Sequence, residues 1–259
     1  MSWLLTHSPS NTKLIFDLGS RKDTNSLPPA VYERVQTTVR VAVDEDVYHS
    51  LDSAGINPKT DIDTVIFSHL HYDHVGDPSR FGPRTRFIVG PDASKTLLQG
   101  ESTYPSDKES HFDSRLLPLD QVIELPDPNE DGYWKPLGPF PAAHDFFGDS
   151  SLLVVNAPGH LTGHINLLVR IAPEKWMYLA GDTAHDVRIL EGACQVAVYQ
   201  DPRTGNEKCA HVDKDAAEAH VRRVRALREF GDVEVVLAHD SGWLERNGGN
   251  FSVSRSKEN

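Results

Sequence analysis

The amino-acid sequence predicts one α/β domain, and three observations point there. A chain of 259 residues with 38% apolar content can bury a single sizeable core. Apolar runs of strand length alternate with stretches of helical period along the chain. Polar residues able to do chemistry follow directly after several of those runs, where a rigid strand hands over to a loop.

Residues 3–6 and 13–17 read as two strands around the turn Ser8-Pro9-Ser10-Asn11, so the chain begins inside its sheet. Residues 20–48 mix charges with a helix, and the stretch 44–54 ends at Gly55 with Pro58 close behind, a helix stop. Strands follow at 64–68 and 85–89. Residues 100–150, rich in proline, glycine, aspartate and aromatics, read as an insertion or loop region, and loops longer than about 15 residues are usually functional or disordered. Strands return at 152–155, 166–171 and 176–180. A helix over 214–230 takes Asp213 as its N-cap, a strand covers 234–237, and residues 250–259 form a tail. No internal repeat is visible in the ligand motifs.

Residues 69 to 74 read His-Leu-His-Tyr-Asp-His, placing four potential metal ligands in six positions just after the apolar run Thr64-Val65-Ile66-Phe67. Imidazole nitrogen and carboxylate oxygen suit zinc and neighbouring divalent metals. A solvated polar loop is the other reading of this segment taken alone. Three further places favour a metal. Asn156-Ala157-Pro158-Gly159-His160, Gly181-Asp182 and His239-Asp240 each follow a strand-like run. The ordered set is His69, His71, Asp73, His74, His160, Asp182 and His239.

This arrangement resembles the metallo-β-lactamase superfamily and, within it, the dinuclear zinc lactonases that open acyl-homoserine lactones, with related lactam hydrolases alongside. The resemblance runs from Phe16-Asp17-Leu18-Gly19 to His239 and implies an αββα sandwich in one domain spanning residues 1–259, with parts of 100–150 near the cleft. It also implies a shortened start, since relatives usually carry more residues before the first hairpin. By the resemblance, His69, His71 and His160 bind one zinc, Asp73, His74 and His239 the other, and Asp182 bridges them, two Zn2+ per chain with other divalent metals able to substitute. Asp17 supports the ligand loops without binding metal. His185 stands three residues after Asp182, where lactonase relatives have a tyrosine that hydrogen-bonds the substrate carbonyl. An imidazole can donate there too, though its reach and pKa differ from a phenol's.

Two carboxylates against two divalent cations leave the cluster electrophilic even with a bridging hydroxide. Coordination lowers the pKa of water from about 15.7 to about 7, so the expected nucleophile is metal-bound hydroxide and no serine or cysteine is needed. Asp73 is the candidate proton carrier between that water and the leaving group; pure ligation is its alternative role. His164, four residues past His160, reads as a support for the ligands or a packing residue, with direct ligation as the alternative. His7, His49, His111, His144, His211 and His220 lack ligand-like spacing. Phe140, Phe146 and Phe147 are candidates for an apolar substrate wall, with packing beneath a loop as the favoured reading.

A formal net charge of −12 argues against a nucleic-acid partner, which would need clustered cations. Arg222, Arg223, Arg225 and Arg228 do cluster, but beside the stripe Ala217, Val221, Val224 and Leu227 they read as a solvated helix face. Two cysteines, Cys194 and Cys209, give no disulfide framework. No run approaches the roughly 18 apolar residues of a membrane span, and the start lacks a signal-peptide pattern, so a soluble cytoplasmic protein without a membrane partner is expected. The expected activity is hydrolysis of a small cyclic ester or amide, a lactone or a lactam of, for example, the benzoxazolinone type. A glyoxalase II-like thioesterase and a mononuclear iron sulfur dioxygenase on the same fold stay open as alternatives, as does a non-catalytic binding protein.

Overall fold

The computed structural model describes residues 1–130, 132–201 and 204–251 and divides them into two compact units. The first comprises Met1–Val89, Ala93–Leu125 and the chain from Gly242 onward; the second comprises Gly90–Asp92 and Pro126–Ser241. Each has its own sheet and helices, the α/β class the sequence predicts.

In the first unit β1 (Trp3–His7) and β2 (Thr12–Phe16) form an antiparallel hairpin. β3 (Thr64–Ile66), β4 (Arg86–Val89) and β5 (Val122–Glu124) then add in parallel, in the order β1-β2-β3-β4-β5. Parallel neighbours need long crossovers. α1 (Pro29–Thr37) and α2 (Val47–Ser53) lie between β2 and β3, α3 (Tyr72–Val75) between β3 and β4, and α4 (Ala93–Leu97) between β4 and β5. The inner strands read as continuous apolar runs because both faces are covered: Val65, Ile66, Phe87, Ile88 and Val89 are all buried. Phe67 and Phe87 stack at 6.1 Å. α2 starts later than the 44–54 stretch suggests, because Asp46 caps it, its carboxylate accepting the His49 N–H at 3.1 Å.

The second unit holds a six-stranded sheet. β6 (Lys135–Leu137), β7 (Phe140–Asp145), β8 (Leu152–Asn156), β9 (Ile165–Ala172) and β10 (Lys175–Leu179) form an antiparallel meander. α5 (Val187–Glu191) and a small hairpin of β11 (Tyr199–Gln200) and β12 (Glu207–Lys208) follow. α6 (Lys214–Leu227) then leads to β13 (Asp232–Val236), parallel to β10 at the sheet edge. α6 buries Ala217, Val221, Val224 and Leu227 as its pattern requires, the last three against a core that includes Phe140, Val155, Leu168, Tyr178 and Leu237. It ends at Leu227, short of residue 230. Arg222, Arg225 and Arg228 are exposed, the solvated face expected of them, and Arg225 Nε also donates to the Leu190 carbonyl at 2.8 Å.

Residues 100–150 are not loop alone, since they contain β5, β6 and β7. β7 hides its strand character behind Pro141 and two alanines, and β5 leaves Ile123 exposed, so neither shows clean alternation; both are held by backbone pairing to neighbours. Phe140 is no substrate wall: it stacks on Tyr178 at 5.4 Å within the core. Phe146 and Phe147 meet edge to face at 4.9 Å.

α7 (Ser241–Phe251) ends the described chain, and the tail expected over 250–259 lies, from 252, outside the described residues. No helix among the described residues is long and apolar enough to cross a membrane.

Candidate metal centre

Four of the candidate ligands belong to the first unit. Beyond β3 the Phe67 N–H still donates to the Ile88 carbonyl at 2.9 Å, so the chain leaves the sheet only at Ser68 and His69. Asp17, at φ 59°, turns a buried carboxylate onto this exit. It accepts the Ser68 N–H and hydroxyl, each at 2.7 Å, and stands 2.7 Å from His74 Nδ1. Because an ionised carboxylate can only accept, His74 carries its proton on Nδ1 and presents the Nε2 lone pair, the pairing common behind metal-bound histidines. The loops are laced together by Leu18 N–H to the His74 carbonyl at 2.7 Å and Gly76 N–H to the Gly19 carbonyl at 2.9 Å. Gly76 is required there: a Cβ would lie 2.6 Å from that of Leu18. His69 Nε2 and His71 Nδ1 are 2.8 Å apart, and Asp73 shares the short α3 with His74. The expected ligand loop is therefore partly a helical turn, with His71 at its N-cap.

The other three belong to the second unit, each past a strand end: His160 after β8, Asp182 after β10 and His239 after β13. The last two turns are tied by Ala180 N–H to the Val236 carbonyl and Ala238 N–H to the Gly181 carbonyl, both at 2.9 Å. The His160 loop runs against the start of α6 so closely that a Cβ on Gly159 would lie 2.2 Å from the Ala217 nitrogen. Nε2 atoms of three imidazoles face one buried carboxylate: His160 at 3.4 Å and His185 at 3.1 Å from Asp182 Oδ2, and His239 at 3.3 Å from Oδ1.

Behind this group lie His164, read from its spacing as a support, and residues that spacing alone does not reveal. His164 is buried and supports the ligand turn, with Nδ1–H donating to the Ala157 carbonyl at 2.8 Å and Nε2 accepting the Asp182 N–H at 3.2 Å. His211, 51 residues from His160, has its Nδ1 3.2 Å from His160 Nδ1. Burial first, and then the neighbouring His185 and His164 imidazoles, push its pKa down to about 4. Asn166 Oδ1 accepts three donors: Tyr178 hydroxyl at 2.9 Å, Thr183 hydroxyl at 2.9 Å and His220 Nε2 at 2.8 Å. This buried hub anchors Thr183, the residue next to Asp182. Cys194 and Cys209 are both free thiols, as expected.

The metallo-beta-lactamase superfamily pattern matches residues 2–239. The chain belongs to that superfamily, and its matched region takes in both units. Among curated relatives, the gamma-lactamase MBL2 of Gibberella moniliformis is 34% identical over 175 residues, covering 66% of this chain and 70% of the relative. The Penicillium brevicompactum protein mpaDE', named as a cytochrome monooxygenase, is 30% identical over 251 residues, covering 90% of this chain; the chain spans only 29% of that relative's length. Among solved structures, a B. thuringiensis AiiA variant with N-decanoyl-L-homoserine bound at its active site superposes with a TM-score of 0.66 at 16% identity, covering 95% of this chain and 82% of that one. At that identity the likeness is one of fold.

Proposed function

We propose that the chain is a dinuclear zinc hydrolase that opens small cyclic amides or esters. In this reading His69, His71 and His160 hold one metal, Asp73, His74 and His239 hold the other, and Asp182 is shared. The observation that carries it is the convergence of three imidazole Nε2 atoms on the two oxygens of Asp182, at 3.4, 3.1 and 3.3 Å. Neutral nitrogen with anionic oxygen is a donor set that zinc accepts readily. The Asp17 pairing behind His74 supports the same reading from the other unit.

Bound divalent metals supply a water of lowered pKa and a Lewis acid for the carbonyl. The protein's own groups do the rest. Asp73 takes the proton released as water adds to the carbonyl carbon and delivers it to the leaving nitrogen or oxygen as the ring bond breaks. His185 works at the carbonyl end of the site. Asp17, His164 and the Asn166 hub hold the ligands in orientation.

The gamma-lactamase relative makes the cyclic amide, including aromatic lactams of the benzoxazolinone type, the first substrate class to test. The partner is then a small molecule. The test is a panel of lactams, lactones and thioesters assayed on protein of measured metal content. Ring opening with retained metal supports the proposal, whereas turnover of thioesters alone would replace it with a thioesterase.

A further inference from the structure

The structure carries one more imidazole at Asp182 than the seven-ligand pattern requires. His185 comes three residues after Asp182, its side chain 35% exposed, and its Nε2 lies 3.1 Å from Asp182 Oδ2. Its ring is nearly parallel to that of His239, with centroids 5.7 Å apart and an interplanar angle of 18°, and both rings present Nε2 to the same carboxylate. Donor atoms of Asp182, His185 and His239 all lie within 4.8 Å of one another.

At 3.1 Å the His185–Asp182 pair is within hydrogen-bond reach, and it is the gathering of three imidazoles on one carboxylate that points to a cation. Two other histidine–carboxylate pairs among the described residues are tighter, at 2.7 Å: His49 with Asp46 and His74 with Asp17. Around Asp182 the imidazoles stand off at 3.1 to 3.4 Å. Two donors each about 2.0 to 2.1 Å from one tetrahedral zinc are about 3.3 Å apart. The three separations around Asp182 fit that spacing.

We propose that His185 is a metal ligand, an eighth donor that shares one metal with Asp182. The inference rests on the dinuclear reading above and changes one role within it: His185 acts on the carbonyl through the metal it binds, and does not donate a hydrogen bond to the substrate. A five-donor site on that side binds its metal more tightly and leaves it a weaker Lewis acid than a site with an open position.

The test is titration of metal-free, full-length protein with cobalt(II), following its visible absorption and competing with a chelator, with circular dichroism as the check on folding. Wild-type protein should take up two cobalt ions. His185→Ala should weaken one site at least about 10-fold and change its absorption bands. His185→Asp, which keeps a ligand atom but no imidazole N–H, should recover most of the affinity. Wild-type affinity and spectrum in His185→Ala would overturn the proposal while leaving the dinuclear reading intact, and so would failure of His185→Asp to bind better than His185→Ala. Fewer than two cobalt ions in wild-type protein would overturn both. Absence of lactam or lactone turnover alongside the expected cobalt behaviour would overturn the proposed reaction and leave His185 a ligand.

Discussion

The backbone N–H of Asp182 donates to His164 Nε2 at 3.2 Å, and this bond joins the Asp182 turn to a buried imidazole on a different strand connection. The opposite nitrogen of His164 donates to the Ala157 carbonyl at 2.8 Å, so the tautomer is set and the ring spans the two turns that bear His160 and Asp182.

Replacing His164 by Ala leaves a buried N–H and a buried carbonyl without these bonds. Stability should fall by about 2 kcal/mol or more, and metal affinity by about 10- to 100-fold, as when a group behind a ligand is removed. Denaturant unfolding and chelator competition measure the two effects. Wild-type values in both would show that the Asp182 turn holds itself in place.

Asp182→Ala should weaken both metals, because it removes the charge and the oxygen donors the two sites share. Elemental analysis of the purified variant against wild-type protein reads this directly. Loss of a single metal contradicts sharing, and one tightly held iron in the wild-type chain would favour the dioxygenase alternative.

Hydrolysis in 18O-labelled water should place solvent oxygen in the product carboxylate, and Cys194→Ser and Cys209→Ser should both stay active, since the proposed reaction needs no side-chain nucleophile. Mass spectrometry of product and enzyme decides it. A trapped acyl-enzyme would rule the mechanism out.

His220 sits buried with Nε2 2.8 Å from Asn166 Oδ1, and burial pushes its pKa down from 6.5 to about 3. The folded chain therefore keeps it neutral while the unfolded chain takes up a proton below about pH 6.5. Its contribution is fully present above that pH and is lost as pH falls toward about 3, at up to about 1.4 kcal/mol per pH unit. Unfolding of wild-type and His220→Gln protein between pH 7 and 5 isolates this slope from that of the other titrating groups. Equal slopes in the two proteins would remove His220 as its source.

His185 shows where reading a linear chain stops. Its place three residues after Asp182 predicts a carbonyl donor in the manner of a tyrosine. Its proximity to Asp182 and its parallel stacking on His239, 54 residues further along, exist only in the folded chain. Residues 100–150 teach the same lesson about secondary structure: β7, with Phe140, Pro141 and two alanines, becomes a strand because β8 offers it a backbone partner, as in the pairing of Ala143 with Val155.

The sequence alone determined the α/β class, most of the strands around the ligands and the identity of seven candidate donors. Those signals are local: an apolar run, its end, and a ligand one to six positions beyond it. Tertiary structure decided what stands behind and beside the donors. It set Asp17 against His74 across 57 positions, His211 against His160 across 51, and His220 with Tyr178 onto Asn166. A buried polar group needs a partner of the right kind and distance, and which distant residue supplies it depends on how strands pair and loops close, not on spacing along the chain.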